Sequence, residues 1–284
     1  MRTRRGIIVI NSVCLCLTFK CDLKCRHCFV SAGPDRTEEM TMEQIVLAID
    51  NSYENCDRIW FSGGEPTVVL EKLLYGLKYA KNKKDMFGFP KKICVQTNGN
   101  FAKTQQGAIK YLAQFYRHGA NEIDITSNDI FHFEQMNTDI PAALAKTANS
   151  MGVFENVMIG GSDYKVVKRF GRAKSIPLDE LKEFDLKYTR KCVLTESDYV
   201  IHPNGDVLPC IYGFENILGN IYEKKLKDII KEFTSSEIYS SLKDEGIYTI
   251  FQEAIKENVN SNSDICDICN SYVSSCRRGR KEHC

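Results

Sequence analysis

The sequence predicts an α/β fold, a partial (β/α)6 TIM-like barrel that stays open, with a small C-terminal hairpin-plus-helix extension. Short apolar runs alternate with helical patterns from residue 13 to about residue 190, and repeated strand-helix units imply a parallel sheet with helices outside it. Only five or six such units are present, too few for a closed eight-stranded barrel. At 284 residues the chain can bury one large core and a smaller one. The reading places the core domain at 1–190 and the extension at 191–284.

The elements follow in order. A strand over 13–19 comes first, then a helix over 41–55 in which Met42, Ile45, Val46 and Ile49 recur at helical spacing behind Thr41, a suitable N-cap. Strand 58–62, helix 70–81, strand 92–97, helix 105–116, strand 122–127, helix 139–150 and strand 156–160 continue the alternation. Beyond residue 190, two runs at 199–201 and 206–208 flank Pro203-Asn204-Gly205 and read as a hairpin. Leu218-Gly219-Asn220-Ile221 then opens a helical pattern over 224–233.

Composition excludes some classes. Lys and Arg number 38 against 37 Asp and Glu, a net charge of +1, so no global field favours nucleic acid or a membrane surface. The basic group Arg277, Arg278, Arg280 and Lys281 reads as a solvated tail. Arg2, Arg4 and Arg5 ahead of an apolar run over 7–19 imitate a signal peptide. Asn11 and Ser12 interrupt that run, and no small-residue cleavage site follows it. No other run approaches the roughly 18 apolar residues a membrane span needs. The protein is therefore expected to be cytoplasmic.

The chemistry concentrates in two motifs. Cys21-x3-Cys25-x2-Cys28, with the aromatic Phe29 directly after it, is followed by Gly63-Gly64-Glu65-Pro66. A 4Fe-4S cube normally takes four thiolates, so three in one short loop leave one iron open to another ligand. Zinc competes for the same cysteines, with His27 as the candidate fourth donor, although tetrahedral sites are usually built from two Cys-x2-Cys pairs or from Cys with His at matching distance. A disulfide framework fits poorly, because thirteen cysteines is an odd number and no export signal accompanies them. Cys14, Cys16, Cys56 and Cys94 lie in strand or helix-end contexts and read as core residues.

The two motifs resemble those of the radical S-adenosylmethionine (radical SAM) superfamily, without departure. The resemblance implies that Cys21, Cys25 and Cys28 hold a SAM-binding 4Fe-4S cluster and that Gly63, Gly64, Glu65 and Pro66 cradle the methionine end of the cofactor. It also implies cofactor contacts from Phe29, from Thr97 and Asn98 at the end of the third strand, and from Ser127 at the end of the fourth. Asn98-Gly99 and Ser127-Asn128-Asp129 are equally ordinary turn formers. Strand carboxyl ends are where parallel barrels collect their chemistry, and all these segments fall there.

The later cysteines, Cys192, Cys210, Cys266, Cys269, Cys276 and Cys284, resemble the SPASM and twitch extensions of the same superfamily, which house auxiliary iron-sulfur clusters. The SPASM pattern is one ligand short, because Arg280 stands where another thiolate belongs. The twitch pattern is complete in Cys192, Cys210, Cys266 and Cys269. One auxiliary 4Fe-4S cluster is therefore expected, with Cys276 and Cys284 either spare or part of a second. A zinc ribbon on the same four cysteines is the alternative.

The resemblance implies reductive cleavage of S-adenosyl-L-methionine to a 5′-deoxyadenosyl radical, hydrogen abstraction from a substrate, and an oxidised or cross-linked product. The expected substrate is a peptide or protein side chain, with a small-molecule alcohol or sugar-like intermediate second, and an external one-electron reductant of flavodoxin or ferredoxin type completes the set. Only twenty residues precede Cys21, which leaves peptide recognition to a separate protein or a short substrate motif. Asp129, His132, Tyr164, Arg169, Arg172, His202 and Tyr212 are candidates to face a pocket, and none is assigned as a catalytic base. The non-enzymatic alternative is a metal-stabilised binding or electron-transfer module, which has no need of Gly63 to Pro66.

Overall fold

The computed structural model describes residues 3–4, 7–8, 10–161, 167, 170–177, 198–213, 216–236, 266 and 269–270. The strands β1 (Thr3–Arg4) and β2 (Ile7–Ile8) pair with each other. The core then runs β3 (Ile10–Cys16), α1 (Met42–Ser52), β4 (Cys56–Ser62), α2 (Leu70–Phe87), β5 (Lys92–Thr97), α3 (Gln105–His118), β6 (Glu122–Ile125), α4 (Ile130–Phe133), α5 (Ile140–Met151) and β7 (Asn156–Ile159). β8 (Asp198–Ile201), β9 (Asp206–Leu208), β10 (Gly219–Asn220) and α6 (Leu226–Thr234) complete the described elements. One eight-stranded sheet has the order β10-β9-β8-β3-β4-β5-β6-β7. Six of its strands, β8 and β3 to β7, are parallel neighbours, which is the open (β/α)6 arrangement predicted.

The two faces of this sheet are written in alternate residues. Val13, Leu15, Ile59, Phe61, Ile93, Val95, Ile123 and Ile125 are all fully buried in the core that the helices cover. Their neighbours Cys14, Cys16, Trp60, Ser62, Gln96, Glu122 and Asp124 point to the other, concave face. Fully covered parallel sheets tend to read as continuous apolar runs, so this period-two polarity marks a barrel interior kept for something other than packing.

Thr41 caps α1 with a complete capping box, its hydroxyl accepting from the Gln44 amide at 3.2 Å while Gln44 returns a bond to the Thr41 amide at 2.8 Å. α2 outruns its predicted end and stops at Gly88, which takes the left-handed conformation (φ 76°) that closes a helix. The mostly polar stretch after Ala80 carries too little apolar periodicity to announce that extra length. The first strand differs from expectation at both ends, spanning Ile10–Cys16. After Cys16 the chain leaves the ladder because Phe19 donates to Glu38, Cys21 to Gly33, and Met40 back to Leu17. Residues 17–21 and 33–40 thereby form a clasp that ties off the cysteine loop.

The hairpin forms as predicted, with the His202 amide donating to the Asp206 carbonyl at 3.0 Å. β8 lies parallel to β3, Ser12 opposite Asp198, so this hairpin continues the core sheet. α6 packs on α1, where Lys225 and Lys227 both reach Glu54. No helix among the described residues is long and apolar enough to cross a membrane.

Candidate functional site

The carboxyl ends of β3, β4, β5 and β7 open onto one cavity of about 440 Å³. Cys21, Cys25, Cys28, Phe29, Gly63, Gly64, Glu65, Thr97 and Asn98 all line it. Pro66 is buried at the start of the short helical turn after Glu65, and Ser127 lies behind the wall, fully buried, its hydroxyl donating to the Asn98 carbonyl at 2.6 Å.

The cysteine loop is prepared for a thiolate-bound group. The Leu23 amide reaches Cys21 Sγ at 3.4 Å, the Ala32 amide reaches Cys28 Sγ at 3.3 Å, and Asn98 Nδ2 lies 3.8 Å from Cys21 Sγ. Such donors to sulfur help set the properties of iron-sulfur clusters. Burial pushes the Cys21 thiol upward and the Cys25 thiol to about 12, with the neighbouring Cys28 and Asp129 adding to the latter and Arg172 opposing it. The free Cys21 and Cys25 thiols therefore stay protonated near neutral pH, and a metal must supply the charge that makes them thiolates. His27 Nδ1 is buried with no hydrogen-bond partner among the described residues, its ring stacked on Phe131 at 4.6 Å. A buried polar atom of this kind is what a bound group would satisfy. Cys25 Sγ and one ring nitrogen each of His27 and His132 also lie within 4.8 Å of one another.

The paired glycines meet the cysteine loop itself. Gly63 has φ +146°, and a Cβ there would lie 2.3 Å from the Thr18 carbonyl oxygen; at Gly64 it would lie 2.4 Å from that of Lys20. The Gly64 and Glu65 amides donate to these same carbonyls at 2.7 and 2.9 Å. Only glycine permits such backbone contact. The fully buried Glu65 then ties its own turn to the end of β5, accepting from Thr67 Oγ1 at 2.7 Å, Thr97 Oγ1 at 2.8 Å and the Asn98 amide at 2.7 Å. Burial nevertheless holds its pKa at about 6, above the ordinary 4.5. From the far side of the loop, Arg172 donates through Nε to the Cys25 carbonyl at 2.9 Å and through its amide to that of Cys28 at 3.1 Å.

Of the pocket candidates named without a role, His132, Arg172, His202 and Tyr212 line the cavity. Asp129 holds His132, accepting from Nδ1 at 2.8 Å, and caps α4 through the Phe131 and His132 amides. Tyr164 and Arg169 lie outside the described residues. The core reading holds for Cys56 and Cys94, both fully buried, and for Cys16, buried in a small cluster with Val200 and Leu208 that Cys14 packs against; Cys14 and Cys16 in addition line the cavity beside Ser62, Gln96, Asp124 and Thr126, because their even positions on β3 face the barrel interior. Sequence reasoning missed this polar set, whose signal was polarity at every second strand position.

The later cysteines come together only in three dimensions. Cys210 follows the hairpin, and Cys266 and Cys269 are each helical. Asn270 Nδ2 donates to both the Tyr212 and Cys266 carbonyls at 2.8 Å, while Asn216 reaches Cys269 Sγ at 3.5 Å. Burial raises Cys269 to about 11, with Cys210 near enough to contribute. Cys192, Cys276 and Cys284 lie outside the described residues.

The model of the radical SAM superfamily matches residues 15–126, and that of the SPASM iron-sulfur cluster-binding domain matches residues 192–276. Among solved structures, the chain resembles BtrN in complex with AdoMet and 2-DOIA, with TM-score 0.54, 19% identity and 92% of each chain covered. It also resembles native anSMEcpe with bound AdoMet and Cp18Cys peptide, with TM-score 0.52, 14% identity and 82% of each chain covered. At these identities the likeness is one of fold. No curated protein matches the chain.

Proposed function

Because this chain is a radical SAM protein with a SPASM domain, whose cofactors are a SAM-binding 4Fe-4S cluster, S-adenosyl-L-methionine and auxiliary iron-sulfur clusters, we propose that it abstracts a hydrogen atom from a peptide or protein side chain and yields an oxidised or cross-linked product. When bound and reduced, the cluster and S-adenosylmethionine supply a 5′-deoxyadenosyl radical. Cys21, Cys25 and Cys28 would hold that cluster, and the segments at Phe29, Gly63 to Pro66, Thr97-Asn98 and Ser127 would shape the cofactor's place. Residues 1–190, completed by β8 of the hairpin as the sixth parallel strand, would form the catalytic core and the rest of 191–284 the auxiliary domain, with Cys192, Cys210, Cys266 and Cys269 as ligands and Cys276 and Cys284 available to a second cluster. The external reductant is a flavodoxin- or ferredoxin-type protein, and the compartment is the cytoplasm.

One observation carries this reading: the three cysteines, the glycine pair and the Glu65 knot converge on a single cavity at the strand carboxyl ends. The chain's own residues fix the reacting carbon and exclude water, and positioning of this kind is the protein's share of cofactor chemistry. A small-molecule alcohol or sugar-like intermediate is the second reading, supported by the likeness in fold to BtrN in complex with AdoMet and 2-DOIA.

The test is anaerobic reconstitution followed by dithionite and S-adenosylmethionine. 5′-Deoxyadenosine is expected by mass spectrometry, and its absence overturns the proposal. Iron analysis separates about eight from about twelve irons per chain, four for each cube.

A further inference from the structure

The cysteine loop is tied to the segment around α4 by contacts that use none of its sulfur atoms. The Lys24 amide donates to Gln135 Oε1 at 2.7 Å, and Arg26 pairs with Glu134 at 2.9 Å while its guanidinium lies 5.4 Å from the centre of the Phe131 ring. These anchors set His27 against α4. Its ring stacks on Phe131 at 4.6 Å and meets the His132 ring edge-on at 4.9 Å. Cys25 Sγ and one ring nitrogen from each histidine fall within 4.8 Å of one another, on the wall of the cavity. One thiol and two imidazoles thus meet through packing alone.

Each imidazole is prepared as a ligand in its own way. Asp129 Oδ2 accepts from His132 Nδ1 at 2.8 Å, and the other oxygen of that carboxylate is fixed by the Phe131 and His132 amides at 2.9 and 3.0 Å. Nε2 is then the lone-pair atom of His132, and a carboxylate behind the ring is what orients metal-ligating histidines and raises their basicity. His27 Nδ1, buried without a partner among the described residues, carries a cost that a metal bond would remove. Zinc accepts such mixed sulfur and imidazole sets and leaves a fourth position to water or a ligand. Bonds of about 2.0 Å to nitrogen and about 2.3 Å to sulfur spread tetrahedral donors roughly 3.3 to 3.5 Å apart, so movements of about an ångström close the set.

We propose that Cys25, His27 and His132, backed by Asp129, form a site for a zinc-like divalent cation that the cluster-free chain fills and that shuts out the SAM-binding cluster. Both groups need the Cys25 sulfur, so one excludes the other. Cys21 and Cys28 take no part in the zinc site and keep the Leu23, Ala32 and Asn98 donors on their sulfurs. The metal site stands on its own geometry, whereas the exclusion rests on the cluster reading above. Its consequence is control over loading: zinc holds the cysteine loop in its folded form, and S-adenosylmethionine cleavage waits until the zinc leaves.

The experiment uses the full chain, stripped of iron and sulfide without oxygen and titrated with Co2+, whose thiolate charge-transfer and tetrahedral d–d bands report the donor set. Wild type is expected to take one cobalt more than C25A, H27A or H132A, and Zn2+ should displace it. The later cysteines contribute alike to every variant and cancel in the difference. C21S and C28S should bind as wild type does. D129N, which keeps the α4 cap, should weaken the binding about 10- to 100-fold, and it replaces H132A if the latter loses its melting transition. Given iron and sulfide, zinc-loaded wild type should fail to develop the paramagnetic signal that responds to S-adenosylmethionine, and zinc-treated H132A should develop it. Equal cobalt binding by wild type, H27A, H132A and D129N overturns the site, as does loss of the cobalt spectrum in C21S and C28S, which would put the metal on three thiolates. Zinc-loaded wild type that gains the signal as readily as zinc-free protein overturns the exclusion. Zinc-free protein that never gains it overturns the cluster reading, and the cobalt comparison still decides the site.

Discussion

The two cysteine regions of this molecule are built in opposite ways. Cys21, Cys25 and Cys28 share one eight-residue stretch, and its neighbours clamp it through main-chain contacts: Gly64 to Thr18, Glu65 to Lys20 and Arg172 to Cys28. Cys210, Cys266 and Cys269 come from segments more than fifty residues apart, joined through the side-chain amides of Asn216 and Asn270. A site closed within one short loop needs little chain ordering to form, whereas a site spanning a long loop carries a larger closure entropy. The first region should therefore tolerate loss of its metal with its shape retained. The second should depend on its metal to hold the segments together.

The largest expected effect breaks the first region. Cys25→Ala should lower 5′-deoxyadenosine formation by more than about 100-fold, beyond the usual cost of disturbing a residue that only supports a metal ligand. Single-turnover product analysis checks it. Cys269→Ala tests the second region: about four irons per chain should be lost, while the paramagnetic signal that responds to S-adenosylmethionine persists. Loss of both signals together would show that the two sites are not independent.

Gly64→Ala sharpens the contrast without touching a ligand. Its Cβ would sit 2.4 Å from the Lys20 carbonyl oxygen, an overlap only main-chain movement relieves, so urea unfolding should show a loss of about 3 kcal/mol. The smallest effect is the pH dependence at Glu65. Its folded-state pKa of about 6 lies above the ordinary 4.5, so the folded state favours the protonated carboxyl. Its contribution is complete below pH 4.5 and is lost as the pH rises through 6, which amounts to about 2 kcal/mol. Glu65→Gln cannot ionise, and the stability difference between wild type and variant should shrink by that amount between pH 4.5 and 7.

The cavity floor marks where linear reading failed. Cys14 and Cys16 sit among apolar neighbours and look like core, and Ser62, Gln96 and Asp124 each look like an isolated polar residue in a strand. The register sets Cys16 opposite Ser62 and Gln96 opposite Asp124, and hydrogen bonds join Ser62, Gln96 and Asp124 in one row, a relation between strands that no single strand displays. Arg172 was legible as a pocket residue, but its bonds to Cys25 and Cys28 were not, since those partners lie more than 140 residues away.

What the sequence alone determined was whatever acts over short distances along the chain: the strand and helix order, the Thr41 cap, the hairpin at Pro203-Asn204-Gly205 and the spacing of the first three cysteines. Periodicity, capping and loop chemistry are local, and the residues carrying them are neighbours in the chain. Tertiary structure decided which strand ends share a cavity, that Gly63 and Gly64 press against the cysteine loop, and that Glu65 and Arg172 hold it from opposite sides. Those outcomes depend on strand order and register, and contacts of that range are set by packing the whole sheet.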